Sequence, residues 1–151
     1  MTEFRFCHLE RRPIDLALHD LLERAWGQGE RAVVQAGSEE EVEALAERLW
    51  TLREDDFLPH GSKRDGDPES QPIYLTDGPD APNGAPLRVL LSGADPLPFA
   101  TGPHARVMIL FDGRDEDATA LARRQWAALK TAGGELSYWR EGDDGGWVKG
   151  R

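Results

Sequence analysis

Four histidines, one cysteine and one dense acidic run are the side chains in this 151-residue sequence that could do chemistry. His8, His19, His60 and His104 include no pair at the i, i+4 spacing that presents two imidazoles to a zinc ion, and spacing fixes no carboxylate beside any of them. Each is therefore expected to be a surface or capping histidine. Cys7 falls inside the alternating stretch FRFCHL, where a buried, inert thiol is the ordinary outcome. The run FDGRDED, Asp112 to Asp117, follows an apolar strand pattern and opens a helical one, the position at which α/β enzymes set their sites. Carboxylates clustered there could hold Mg²⁺, which would make the protein a small phosphohydrolase or nucleotide-binding protein working through Asp112 and Asp115. First-turn acids also satisfy the unpaired N–H groups and the dipole of a helix, so the run is read first as a cap and only second as a metal site. No phosphate-cradling G-x-G-x-x-G or G-x-x-x-x-G-K-[ST] loop and no G-x-S-x-G elbow occurs. No cofactor is implied, and folding is expected to need neither metal nor nucleotide.

The elements that would position these groups are legible from periodicity. Phe4 and Phe6 alternate with polar neighbours over Glu3–Leu9, which predicts a first strand. Pro13 opens a helix in which Ile14, Ala17, Leu18, Leu21, Leu22 and Ala25 recur at helical spacing, ended by Gly27 and Gly29. Ala32–Val34 is a short second strand. Ser38 and Glu41 form a capping box before the buried stripe Val42, Leu45, Ala46, Leu49. From Leu52 to Pro86 only Pro72–Thr76 has strand character, between turns rich in Pro, Gly and Asp. Leu87–Gly93 and Arg106–Gly113 are nearly continuous apolar runs, as in strands covered on both faces. The longest helix follows, with Asp115 as N-cap and Gly133 as its stop. ELSYWRE and GWVKG predict a closing hairpin around 142–145. Strands alternating with helices imply one α/β domain over residues 1–151: a three-layer, Rossmann-like sandwich with a mainly parallel sheet and a C-terminal hairpin.

Composition narrows the partners. Eighteen Lys and Arg against 28 Asp and Glu give a net charge of −10, which opposes broad contact with a polyanion, so tight direct binding of nucleic acid is not expected. No run of 18 apolar residues exists to span a membrane, and MTEFRFCHLE is too charged for a signal peptide. A lone cysteine makes no internal disulfide, which points to the cytoplasm.

The last helix carries a second pattern beside its core face. At about 100° per residue, Thr119, Arg123, Trp126 and Lys130 share an arc adjoining the core stripe of Ala118, Leu121, Ala122, Ala128, Leu129 and Ala132, into which Gln125 intrudes. Trp126 stands between a cation one turn before and another one turn after. It either seals the edge of the core or receives a ligand with an apolar tip and negative charge, such as an acidic C-terminal tail.

These residues carry a resemblance. FLPHG followed by QPIYLT, then ILFDG, then LARRQWAALKTAGGELSYW, resembles the chi subunit family of bacterial DNA polymerase III holoenzyme over nearly the whole chain. The resemblance implies a non-catalytic three-layer α/β protein that links the clamp loader to single-stranded DNA-binding protein by binding its acidic, Phe-ended tail. The family's tail site maps onto Arg123, Trp126 and Lys130, with Thr119 where some members carry a further cation. A second surface, for the psi subunit or an XPD-like helicase, maps onto Trp50, Phe57, Pro59 and His60. Trp50 and Phe57 are expected to be partly exposed neighbours.

Overall fold

The computed structural model describes residues 2–52, 58–144 and 146–150. Strand β1 (Glu3–Leu9) lies between two parallel partners, β5 (Arg106–Asp112) and β6 (Glu135–Glu141). With β2 (Ala32–Gln35), β3 (Ile73–Thr76), β4 (Leu87–Leu90) and β7 (Trp147–Lys149) they form a seven-stranded sheet in the order β3-β2-β4-β5-β1-β6-β7. Only the β6–β7 pair is antiparallel, Glu141 opposite Trp147, which is the expected C-terminal hairpin.

Helices α1 (Ile14–Gly27) and α2 (Glu39–Thr51) cover one face and α3 (Glu116–Thr131) the other. Because side chains of a strand alternate between faces, Met108 and Leu110 of β5 join the cluster with Leu18, Leu22, Val42, Leu45 and Leu49. Val107, Ile109 and Phe111 point the other way, to Phe4, Phe6, Ala122 and Leu129. The sheet is thus buried on both sides, as its near-continuous apolar strands require.

Local chemistry sets the element ends. The Asp115 carboxylate accepts from the N–H groups of Asp117 and Ala118 at 2.9 and 3.2 Å, the expected N-cap of α3. Ser38 Oγ accepts from Glu41 N at 3.1 Å. The Glu41 carboxylate, however, turns to Gly37 N and the Ser92 hydroxyl, so only half of the expected capping box closes. Pro13 lies at the N-cap of α1 and not inside its first turn. β4 stops at Leu90, short of the expected Gly93, because Ser92 and Gly93 take left-handed φ values of 56° and 77° that a strand cannot contain.

Two features depart from the apolar pattern. Arg88, in the middle of β4, has no exposed surface. Its guanidinium donates to Gln35 Oε1 at 2.6 and 3.1 Å, to Gly78 O at 2.5 Å and to Asp80 O at 3.1 Å, and it lies 4.2 Å above the Phe99 ring. Burial lowers its pKa to about 10, and those acceptors keep the cation in place. At the other end of the sheet, Glu141 Oε1 accepts from the backbone N–H groups of Glu10 and Arg11 at 3.0 and 2.7 Å, and Oε2 accepts from Arg12 Nε at 2.6 Å. The turn between β1 and α1 is an anion nest filled by a carboxylate of β6.

A candidate peptide-docking pocket

The α3 stripe does not stand alone. Register pairs Phe6 of β1 with Tyr138 of β6, and His8 with Arg140. On the other side His8 lies opposite Phe111 of β5. These residues share the face beneath α3, and between them and Thr119, Ala122, Arg123 and Trp126 lies a pocket of about 540 Å³. Trp126 is half-buried there, edge-on to Phe6 with centroids 5.3 Å apart and to Tyr138 at 6.2 Å. It seals the core edge and lines the pocket at once. Arg123 is exposed on the rim, and no carboxylate of the described residues pairs with it. Thr119 lies at one end, its hydroxyl donating to Asp115 O at 3.0 Å. Lys130 is exposed further along α3 and does not line the pocket.

Charge in the pocket is arranged around His8. Its Nδ1 hydrogen-bonds the Tyr138 hydroxyl, and its Nε2 lies 3.8 Å from Glu10 Oε1. Burial lowers the imidazole pKa, Arg140 and Arg123 push the same way, and Glu10 and Asp112 oppose them. Burial raises the Tyr138 phenol, against the pull of the same two arginines. A Cβ on Gly113 would stand 1.7 Å from His8 Nε2, so the glycine after β5 makes room for the ring. Sequence periodicity pointed to the helix side of this pocket and missed His8, Tyr138 and Arg140. Alternation places Phe4, Phe6 and His8 on one face of β1 and Leu136, Tyr138 and Arg140 on one face of β6. The missing signal was that the two strands are neighbours.

The acidic run sits elsewhere. A groove of about 560 Å³ at the ends of β4 and β5 is lined by Asp15, Glu41, Asp112, Asp115 and Asp117. Asp15 pairs with Arg48, Asp112 with Arg114 at 2.8 Å, Glu41 with Ser92, and Asp115 caps α3. The Arg114 side chain and its backbone N–H hold Asp112 below the usual carboxylate range. Among the described residues no three His, Cys, Asp or Glu side chains converge to hold a metal. Cys7 is buried, which pushes its thiol up to about 12 and away from thiolate chemistry.

The second expected surface is placed only in part. Trp50 is 49% exposed at the end of α2, and Pro59 is half-buried. His60 is buried beneath the Trp50 ring, centroids 4.4 Å apart, with Nδ1 2.7 Å from Leu58 O and Nε2 2.9 Å from Ala46 O. It supports the tryptophan and offers little surface of its own. Phe57 lies outside the described residues, so its expected nearness to Trp50 does too.

Fold and pocket together define an open-sheet α/β protein whose most distinctive surface is a cation-rimmed aromatic pocket on the seam between its last helix and its central strands. The chain matches the family model described as "DNA polymerase III chi subunit, HolC" over residues 1–137, and it belongs to that family. It is similar, at 34% identity over 95 residues, to the "Probable DNA polymerase III subunit chi" of Rickettsia prowazekii (strain Madrid E). That stretch covers 63% of this chain and 58% of the relative's length.

Proposed function

We propose that this chain is a non-catalytic accessory subunit of DNA polymerase III that binds the acidic, Phe-ended C-terminal tail of single-stranded DNA-binding protein. The tail occupies the pocket between α3 and the β1–β6 strands. A second surface around Trp50 and Pro59, to which the resemblance adds Phe57 and His60, docks the psi subunit of the clamp loader or an XPD-like helicase. The observation that carries the first assignment is an Arg123 on the rim of an aromatic pocket with no carboxylate partner among the described residues, in a protein whose net charge is −10. A cation left without a carboxylate on so acidic a molecule suits a ligand that brings its own.

Calorimetric titration with a peptide of that tail tests the assignment. Arg123→Glu should abolish measurable binding, since it replaces attraction by repulsion. Trp126→Ala should cost about 2 kcal/mol, roughly thirtyfold, if the ring is a binding hot spot. Circular dichroism must show that the Trp126 variant is folded, because the ring also packs on Phe6. Equal binding by wild type and folded Arg123→Glu would remove the assignment. Trp50→Ala should leave tail binding intact while preventing co-purification with the second partner.

A further inference from the structure

Two helices cover one face of the seven-stranded sheet and one covers the other, so part of the sheet has no helix above it. Alternation turns Arg5 and Cys7 of β1, and Ser137 and Trp139 of β6, away from α3 and toward the face of α1 and α2. The buried cluster on that face ends at Cys7 and takes nothing from β6, with Trp147 of β7 at its margin. Beyond it, between α1 and the β6–β7 hairpin, lies a cleft of about 890 Å³. Ala17 and Leu21 belong to its helix wall, Trp139 and Trp147 to its hairpin wall, and Arg5 and Met108 to the sheet beneath. None of the described residues lining it belongs to α2 or α3, so it is separate from the Trp50 surface and from the tail pocket.

The cleft is edged with cations on a protein of net charge −10. Arg24 on the helix wall and Lys149 beside the hairpin wall are exposed, and no carboxylate of the described residues pairs with either. Lys149 Nζ and the Arg5 guanidinium stand 5.9 and 5.5 Å from the centroid of Trp139. Arg106 donates from one terminal nitrogen to Glu30 at 2.8 Å, while its buried Nε has no partner among the described residues. Two carboxylates line the cleft, Asp20 and Glu23, both on α1, and Asp20 is paired with Arg12 at 2.9 Å.

A neighbouring helix packs with its axis about 8–10 Å away, and the space beside α1 over β1 and β6 is where the next helix of the layer would lie. An amphipathic helix laid there would set its apolar stripe on Ala17, Leu21 and the two indoles. Acidic residues on its flanks would meet Arg24 on one side and Lys149 on the other. A single nucleic-acid strand fits less well, because cations already flank Trp139 from the β1 side and the β7 side, where bases would stack. We propose that this cleft docks an acid-flanked amphipathic helix of a partner protein, which completes the helical layer of that face. The hairpin wall that would hold it, Trp139, Trp147 and Lys149, lies beyond the residues matched by the family model.

The probe is a labelled, C-terminally amidated peptide of about five helical turns, with a Leu stripe and Glu flanks, followed by fluorescence anisotropy. Its companion carries Lys in place of every Glu. Wild type should bind the Glu peptide at least about tenfold more tightly than the Lys peptide. Arg24→Glu and Lys149→Glu should each weaken the Glu peptide about fivefold or more, and Trp139→Ala about tenfold or more. Arg123→Glu, in the tail pocket, should leave it unchanged. Arg24 and Lys149 are exposed, so thermal unfolding of those two variants should match wild type, and they decide the matter even if Trp139→Ala fails to fold. Equal binding of the two peptides, binding of neither, or a loss on Arg123→Glu instead of Arg24→Glu overturns the proposal while tail binding stands. A labelled single-stranded oligonucleotide whose binding is lost in Lys149→Glu, while the Glu peptide's persists, would give the cleft to nucleic acid and overturn it too.

Discussion

His8 decides how the pocket responds to pH. Burial lowers its pKa, and the charged groups facing it are Glu10 beyond β1, Arg140 on β6, Asp112 on β5 and Arg123 on α3, with the Tyr138 hydroxyl on Nδ1. A ligand carboxylate entering between the arginines adds negative charge beside the ring and raises its pKa relative to the free protein. Binding then takes up a proton, so affinity rises as pH falls through the histidine range and levels off above it. Anisotropy between pH 5 and 8, where the peptide's own carboxylates stay ionised, should show tighter binding at the acid end. His8→Gln should flatten that profile. A flat wild-type profile would place the carboxylate away from His8.

At the scale of elements, the hairpin β6–β7 is tied to the start of α1 through Glu141. Burial by itself would raise this carboxyl, but the N–H groups of Glu10 and Arg11 and the Arg12 guanidinium outweigh it and bring its pKa down to about 2. A depressed folded-state pKa means stability that is present above the unfolded value near 4.5 and lost as pH falls through about 2. A shift of that size is on the order of 3 kcal/mol, for a side chain almost wholly out of solvent. Urea unfolding from pH 6 to 2 should therefore show stability dropping with acid. Glu141→Gln should be less stable at pH 6 and should lose part of that slope. An unchanged slope would mean that the nest carries no linked charge. Because Arg140 precedes Glu141, the same tie holds the β6 rim of the pocket in place.

For the whole molecule, the charge balance sets what it meets. At −10 the protein repels a polyanion except near local cations. Titration of labelled single-stranded oligonucleotide at moderate salt should give no submicromolar binding by the protein alone; tight binding would contradict a role confined to protein partners. No described helix is long and apolar enough to cross a membrane. Tail binding itself should weaken with salt without vanishing, because exposed charge contacts are screened and aromatic burial is not.

The sequence by itself determined the class of fold, the element order and the N-caps at Ser38 and Asp115, because helical and strand periods and N-cap chemistry are set by covalent geometry over a few residues. Thus Asp115 was legible as a cap, Trp126 as a ring between two cations, and β4 and β5 as doubly buried strands. Tertiary structure decided what faces what. His8 and Tyr138 are 130 positions apart, and only the parallel pairing of β1 with β6, in one register, brings them under α3 with Arg140. A slip of one residue in β6 would have turned Tyr138 and Arg140 to the other face, away from His8. Arg88 likewise is held inside an apolar strand only because Gln35, Gly78 and Asp80 converge on it. His60, expected at a surface, went beneath Trp50 because two backbone carbonyls lie within hydrogen-bond reach of its ring. Local periods say which way a side chain points, but its partner across the sheet is fixed only when distant strands pair.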